Sequence, residues 1–270
     1  MDTLERNRTA FSAQSQGFSS EGDTYADAED LAWMLEDLPL SPGAACLDIA
    51  TGTGEFARAL APHVASVVGL DATDAMLQQG RSFIAQAGIE NVSFEKGVVQ
   101  ELPFREETFD VVSSRYAFHH FADPKPVLAE MVRVCRTGGH VIIVDIVVPV
   151  ESIAAEYNYY EWLCDPSHTR CLGFDEFRSY ARLFGLEQIS ARERPLEEPL
   201  VEWMDFSRTQ DVRRQEILLA VEAELEGGPR TGLQPTTRDS TLYFVQRDMA
   251  IVGRKGLGAQ LAAPSGPASG

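Results

Sequence analysis

The chain has 270 residues, of which 44% are hydrophobic and 24% are charged, and its formal net charge is -18. This size allows one substantial α/β core with an appendage, and the negative charge disfavours the phosphate contacts that supply most nucleic-acid affinity. The first residues lack the apolar core of a signal peptide, no run approaches about 20 apolar residues, and four cysteines make no disulfide framework at this length. We therefore expect a cytoplasmic protein that binds no nucleic acid and does not insert into membranes.

The first 30 residues are polar and carry three aromatics, Phe11, Phe18 and Tyr25, at seven-residue intervals. This spacing places them on one face of a helix, although Gly17 and Gly22 interrupt a continuous one. From its pattern alone, the segment is an amphipathic cap packed on the core.

The chain is organised around the stretch ACLDIATGTGEFA, residues 45 to 57. Its small and branched apolar residues predict a strand buried on both faces, and Gly52 and Gly54 then allow a tight turn into a helix. Such a unit begins a nucleotide-binding α/β sheet, whose ligands bind beyond the carboxyl ends of the strands.

The charges around this turn distinguish the ligands that its glycines would accept. The glycines also satisfy the dinucleotide fingerprint, but Asp48 at the strand end and Glu55 in the first helical turn would repel a pyrophosphate. They suit a cationic ligand without phosphate, the alternative being a turn that only joins strand to helix. Asp71 ends the second strand, 19 positions after Gly52, at the spacing of a carboxylate that accepts hydrogen bonds from ribose hydroxyls. The alternative for this position is a helix N-cap.

Two motifs resemble those of a known family. D-x-A-T-G-T-G-E, from Asp48, resembles motif I of the class I S-adenosylmethionine (SAM)-dependent methyltransferases. RYAFHHF-x-DP, from Arg115, resembles small-molecule members related to the methyltransferases of ubiquinone and menaquinone biosynthesis. The resemblance implies an α/β fold with a doubly wound, Rossmann-like, seven-stranded sheet, an antiparallel last strand, an N-terminal lid and a small helical cap insertion. It also implies SAM as cofactor, S-adenosylhomocysteine (SAH) as product and a small-molecule substrate.

The expected organisation is a lid over residues 1–30, a SAM-binding domain over 31–255 and a disordered tail over 256–270. Insertions on the substrate side are expected near 150–172 and 197–228, and the acidic stretch 197–226 is predicted to be helical with a solvated face. A second copy of the chain is a candidate partner.

The resemblance also assigns cofactor-binding residues. Phe18 or Phe11 would shield the sulfonium, and Arg115 would pair with the methionine carboxylate, unless it forms only a surface salt bridge. Val98 departs from the family, which carries there an Asp that receives the adenine amino group, so that contact must come from backbone near Val98 and Val99 or from Gln100. The full predicted set is Phe18, Asp48, Ala50, Gly52, Gly54, Asp71, Ala72, Met76, Val98, Val99 and Arg115.

The candidate catalytic residues are His120, His119 and Asp145. Adjacent histidines point to different sides, so one would face the methyl acceptor as a base, and His120 is preferred over His119. Asp145 interrupts an apolar strand and is predicted to face the pocket rather than to be hydrogen-bonded at the strand end.

The stretch 151–173 is expected to contact the substrate. Its aromatics Tyr157, Tyr159, Tyr160 and Trp162 suit a pocket for a flat or apolar molecule, with core packing or a dimer surface as the alternative. The resemblance adds the loop residues Asp165, His168 and Arg170 as candidate contacts. Cys164, His168 and Cys171 lack a fourth ligand at a recognisable spacing, so no metal site is predicted.

The sequence therefore predicts a SAM-dependent methyltransferase that moves a methyl group to an O, N, S or C atom of a small aromatic or apolar metabolite. Two alternatives remain open, an enzyme of this fold that uses SAM for cyclisation or elimination and a non-catalytic SAM-binding protein. An NAD-dependent oxidoreductase is a third, against which the carboxylates at the glycine turn argue.

Overall fold

One mixed β-sheet runs through the protein in a computed structural model, which describes residues 3–15, 28–36 and 38–257. Its strands are β1 (Ala45–Ile49), β2 (Ser66–Asp71), β3 (Val92–Lys96), β4 (Phe109–Arg115), β5 (Cys135–Ile146), β6 (Leu186–Pro199), β7 (Thr236–Arg238) and β8 (Thr241–Lys255). The helices are α1 (Thr3–Gln14), α2 (Ala28–Leu35), α3 (Glu55–Leu60), α4 (Asp74–Ala87), α5 (Pro124–Val134), α6 (Ala154–Cys164), α7 (Phe174–Leu183), α8 (Leu200–Phe206) and α9 (Asp211–Leu225).

The strand order β3-β2-β1-β4-β5-β8-β6 is that of a doubly wound sheet. The strands from β3 to β5 are parallel, and β8 runs antiparallel between β5 and β6. Seven strands form this order, and the short β7 pairs only with β8. The predicted fold class is confirmed. Because the order reverses between β1 and β4, the ligand crevice of such a sheet lies at their carboxyl ends.

Helices cover both faces of the sheet, and successive side chains of a strand point to opposite faces. Leu47 and Ile49 of β1 pack into the core that α5 and α7 cover, whereas Cys46 packs into the core on the side of α3 and α4. A third core lies among α6, α8, α9 and β8, and Tyr157, Trp203, Ile217 and Phe244 belong to it. These three helices form the helical cap.

The acidic stretch 197–226 is partly strand, which corrects its prediction as helix throughout. Strand β6 continues to Pro199, with Glu197 opposite Val245 and Glu198 opposite Phe244 of β8. Helices α8 and α9 follow, separated by a break. The prediction failed because a run of carboxylates resembles a solvated helical face, although Glu198 is buried against β8.

Two predictions, for Phe18 and for the tail, concern residues that the structure does not describe. Phe18 and most of the tail over residues 256–270 lie outside the described residues. The four cysteines are buried free thiols. Among the described helices, none has the length and apolar character needed to cross a membrane.

Candidate functional site

The turn between β1 and α3 forms one wall of a cavity at the carboxyl edge of the sheet. Its residues Ala50, Gly52 and Gly54 have left-handed backbones, with φ of 50°, 56° and 78°. Glycine is required at position 54 for two reasons. Its φ is left-handed, and a Cβ atom there would overlap the Phe94 ring. The turn therefore brings bare backbone to the cavity.

Asp71 is held at this wall by two backbone donors. Its Oδ2 accepts a hydrogen bond from Gly52 N at 2.9 Å and its Oδ1 accepts one from Thr73 N at 2.8 Å. Burial raises the pKa of Asp71, and these hydrogen bonds oppose the rise. Each carboxylate oxygen keeps a further lone pair, so the fixed side chain can still accept hydrogen bonds from a ligand.

Asp48 does not line the cavity, which corrects its assignment as a ligand contact. Its side chain is buried beneath the turn, where Thr51 Oγ1 and Ser113 Oγ donate hydrogen bonds to it at 2.6 and 2.7 Å. Burial raises the pKa of Asp48 to about 6. Asp48 therefore fixes the shape of the turn.

The cavity has a volume of about 460 Å³ and collects most of the predicted site residues. Those that line it are Ala50, Gly52, Asp71, Ala72, Met76, Val99, Arg115, His119 and His120. Gly54 and Val98 are not among the lining residues, whereas Gln100, next to Val99, is. Cofactor contacts of Gly54 and Val98 remain predictions. Val98 forms an isolated bridge with Glu101 across the two residues Val99 and Gln100 that line the cavity.

Arg115 and Glu55 form an ion pair at the turn, in which Arg115 Nη1 donates to Glu55 Oε2. Their side chains are 8% and 17% exposed, so this pair is not the surface salt bridge that the sequence left open. Both residues line the cavity. Glu55 is paired with Arg115 and Asp48 lies beneath the turn, so neither is the free negative charge that the sequence argument placed beside the ligand. The pairing of Glu55 spans 60 positions, which sequence spacing does not reveal.

His119 and Asp145 form a hydrogen-bonded pair at the ends of β4 and β5. His119 Nδ1 lies 2.6 Å from Asp145 Oδ1, and Asp145 is fully buried. The backbone N–H groups of Ala117 and Phe118 donate to Asp145 Oδ2 at 2.9 and 2.7 Å, and that of Ile146 donates to Oδ1 at 2.8 Å. Asp145 therefore does not face the cavity, contrary to its prediction. Its hydrogen bonds instead fix the turn of residues 117–120, the histidine turn.

The charge on Asp145 also sets the protonation of His119. Burial alone would lower the pKa of His119, but Asp145, together with Glu161 and Asp165, makes the net shift upward. His120 behaves in the opposite way, because burial and the neighbouring His119 lower its pKa to about 4. Geometry and charge thus favour His119 as the base, which reverses the preference drawn from the sequence.

Helix α1 covers the cavity from the N-terminal side. Thr3, Leu4, Asn7, Arg8, Phe11 and Gln14 line it. Asn7 Nδ2 donates to the backbone carbonyl of His120 at 3.1 Å, and the Phe11 ring meets the His120 ring edge-on at 4.9 Å between centroids. Of the two aromatics suggested for a lid, Phe11 is therefore at the site.

The aromatics of α6 do not line the cavity, so the aromatic pocket predicted there is wrong. Tyr157 is buried in the cap core, while Tyr159 and Trp162 are 44% and 39% exposed beside α9. Trp203 and Phe206 of α8 supply the aromatic wall instead. Of the predicted loop contacts, Asp165 and His168 line the cavity, whereas Arg170 is paired with Glu176 outside it.

Sequence reasoning missed several polar residues at the site, and three of them lie close to the histidines or to each other. Glu161 and Gln246 line the cavity, and Ser167 Oγ lies 3.2 Å from His120 Nδ1. A charged residue one helical turn after a buried tyrosine was the available signal for Glu161, whereas nothing in the sequence singled out Gln246. Within the described chain, no three His, Cys, Asp or Glu side chains are arranged to hold a metal ion.

Comparison with known proteins identifies the family. The model of the family described as "Methyltransferase domain" matches residues 40–197. The methyltransferase YcgJ of Bacillus subtilis (strain 168) is 34% identical over 185 residues, which cover 68% of this chain and 72% of YcgJ. The demethylmenaquinone methyltransferase of Bacillus cytotoxicus is 30% identical over 190 residues, covering 60% of this chain and 78% of that enzyme.

Solved structures agree with the sequence relatives. The crystal structure of Bacillus subtilis YcgJ superposes with a TM-score of 0.76 at 27% identity, covering 86% of this chain and all of YcgJ. A Haemonchus contortus phosphoethanolamine N-methyltransferase, solved with SAH, shares the fold at a TM-score of 0.62 and 18% identity, over 94% of this chain and 59% of that one. The chain therefore belongs to the methyltransferase domain family and has the class I, SAM-dependent methyltransferase fold.

Proposed function

We propose that this protein transfers the methyl group of SAM to an O, N, S or C atom of a small molecule, with His119 as the base. The observation that carries the proposal is the 2.6 Å contact between His119 Nδ1 and the buried Asp145, at the same cavity as Asp71 and the glycine turn. SAM supplies an activated methyl group, so the chain has chiefly to align the methyl acceptor, exclude water and remove a proton.

The residues around the turn fit SAM. Asp71, fixed by two backbone donors, is placed to accept hydrogen bonds from ribose hydroxyls. Ala72, Met76 and Val99 offer an apolar wall to the adenine, and Gln100 beside them offers the polar contact that Val98 does not. Arg115, with Glu55, is the cation at the turn that would meet the methionine carboxylate.

His119 is set up to take a proton from the methyl acceptor. Because its Nδ1–H points to Asp145, its other nitrogen, Nε2, is the atom that can accept a proton. The buried carboxylate then stabilises the imidazolium that forms, and its three backbone hydrogen bonds keep it from moving. Helix α1 and residues of α6 and α8 form walls of the cavity and limit the access of water to the reacting atoms.

The test begins with the cofactor. We expect purified protein to bind SAH in calorimetry, and Asp71→Asn to weaken that binding about tenfold or more, because the amide nitrogen cannot accept from a ribose hydroxyl. Asp74→Asn is the matched control, since Asp74 is an exposed residue three positions away that pairs with Lys96. Binding of NAD instead of SAH, or equal SAH affinity in the Asp71 variant, would contradict the proposal.

The methyl-transfer step needs a second assay. Labelled SAM and a panel of small nucleophiles should yield SAH and a methylated product in the wild-type protein, and His119→Asn should lose that transfer while keeping its SAH affinity. A protein that binds SAH but transfers no methyl group would instead support the use of SAM for other chemistry.

A further inference from the structure

The part of the cavity away from the glycine turn is lined by hydrogen-bond acceptors. We call it the substrate chamber and define it by His119, His120, Glu161, His168, Trp203 and Gln246. The neighbouring hydrogen bonds determine where the hydrogens of its polar side chains lie.

His120 presents a bare nitrogen. Ser167 Oγ donates its single hydrogen to Asp165 Oδ1 at 2.7 Å, so towards His120 Nδ1, at 3.2 Å, it can only accept. His120 Nδ1 therefore carries the hydrogen of the ring. Because the pKa of His120 is lowered to about 4 by burial and by His119, the ring is neutral and its Nε2 is a hydrogen-bond acceptor.

His168 presents a second bare nitrogen. Asn158 Nδ2 donates to the carbonyl of Ala154 at 2.8 Å, which turns Asn158 Oδ1 towards Cys171 N, at 2.6 Å, and His168 Nε2, at 3.0 Å. His168 Nε2 is therefore the donor in that contact, and burial followed by the neighbouring histidines holds the pKa of the ring well below its ordinary value. Its Nδ1 is a hydrogen-bond acceptor.

Gln246 and Glu161 add oxygen acceptors. Gln246 Nε2 points to Glu161 Oε1 at 3.5 Å, which leaves Gln246 Oε1 buried with no partner among the described residues. Gln246 is 2% exposed, so bulk water does not satisfy its Oε1. Glu161 is 4% exposed and accepts hydrogen bonds from Gln246 and Tyr157, and its carboxylate keeps further lone pairs. Burial also raises the pKa of Glu161, which makes an added donor from a ligand favourable to its charged form.

The charges of the chamber exclude anions. Of the described residues that line the whole cavity, the arginines are Arg8 on α1 and Arg115 at the turn, and there is no lysine. Any positive charge on His119 is matched by Asp145, and Asp165 also lines the cavity. A carboxylate or phosphate on the substrate would meet no cation in this chamber except His119, whose charge Asp145 already balances.

From these contacts we infer that the methyl acceptor is an uncharged or cationic ring compound with at least two N–H or O–H donors, and that carboxylated and phosphorylated compounds are excluded. The ring is the part that Trp203 would cover, and the donors are the parts that Glu161, Gln246 Oε1 and the bare imidazole nitrogens would accept. This inference rests on the proposed function, because it assigns the chamber to the methyl acceptor.

Three benzene derivatives of matched shape test it in calorimetry with SAH-saturated protein. These probes are 2-aminophenol with two donor groups, 1,2-dimethoxybenzene with none, and salicylate with a negative charge. We expect 2-aminophenol to bind about tenfold or more tightly than 1,2-dimethoxybenzene, and salicylate to show no binding. Equal or weaker binding of 2-aminophenol, including none, overturns the inference.

Variants locate the effect and separate it from the proposed function. Glu161→Gln and Gln246→Leu should each reduce the preference for 2-aminophenol severalfold while SAH affinity, measured in the same samples, stays unchanged. Glu156→Gln, which removes an exposed carboxylate on the same helix α6, should leave the preference intact. A preference that survives both chamber variants overturns the inference. Binding of SAH to the wild-type protein is measured before any probe is added. Failure to bind SAH would contradict the proposed function itself.

Discussion

At the scale of single residues, the base strength of His119 depends on Asp145. Burial lowers the pKa of His119, but Asp145, with Glu161 and Asp165, gives a net rise, so the neutral base is present only above the raised pKa. Methyl transfer should therefore increase as pH rises through that value. In Asp145→Asn the rising limb should shift to lower pH, and the plateau should fall about 100-fold or more because the ring loses its orientation.

The measurement is the rate of SAH formation against pH, with Asp175→Asn as a control, since Asp175 has an exposed side chain on α7. An unshifted limb in Asp145→Asn would show that another group limits the rate.

Two neighbouring residues test how the adenine is recognised without the family aspartate. Gln100 lines the cavity and Val98 does not. We expect Gln100→Ala to weaken SAH binding severalfold, by the loss of about one hydrogen bond. Val98→Asp, which restores the residue typical of the family, should leave the dissociation constant unchanged. Calorimetry with SAH decides, and tighter binding in Val98→Asp would mean that this loop approaches the adenine through residue 98.

At the scale of elements, α1 is the part of the chain whose removal tests enclosure of the cofactor. Its contacts with the rest of the site include the Asn7 hydrogen bond and the Phe11 ring contact, both to His120. Removing residues 1–15 should weaken SAH binding severalfold and speed its dissociation, because the cavity loses one wall. Removing residues 258–270 is the control. Stopped-flow release of SAH measures the effect, and equal release rates would exclude a lid role for α1.

The sequence predicted elements well where local signals agree. Strands β1, β2 and β4 are short apolar runs. A glycine turn follows β1, β2 ends at Asp71 and β4 ends at Arg115, and these signals also predicted the edge of the sheet at which the site lies. The prediction failed for β6, whose length comes from pairing along β8 as far as Pro199 and Tyr243. A cross-strand pairing of this kind overrides the local preference of an acidic stretch.

At the scale of the whole molecule, the contacts that sequence reasoning missed join distant segments. Arg115 meets Glu55 across 60 positions, and Arg194 bridges Asp30, 164 positions away, to Asp248. The position of Asp145 under the histidine turn is likewise a product of the sheet register, in which β5 lies beside β4. Motif and spacing thus indicated which residues belong to the site, and the fold determines which of them face the cavity.

Glu198, whose charge interacts with those of Asp30 and Asp248, makes the stability of the protein depend on pH. Glu198 is 4% exposed, and its Oε1 has no hydrogen-bond partner among the described residues. Burial, followed by the charges of Asp30 and Asp248, raises the pKa of Glu198 to about 8 from an ordinary value of 4.5. Between these two values the folded protein keeps a proton that the unfolded chain releases. The free energy of unfolding should therefore fall as pH rises through this window, by about 1.4 kcal/mol for each pKa unit of difference.

Glu198→Gln removes this titration and keeps the shape of the side chain. We expect its melting temperature to vary less with pH between 4.5 and 8 than that of the wild-type protein, and to exceed it above pH 8. Glu202→Gln on α8 is the matched control, because Glu202 is exposed and its loss should leave most of the pH dependence in place. Thermal unfolding across the pH range provides the comparison. If the melting temperatures of wild type and Glu198→Gln change equally with pH, the proton is not taken up at Glu198. The carboxylates of Asp30 and Asp248, which Arg194 bridges, would then be tested by the same measurement.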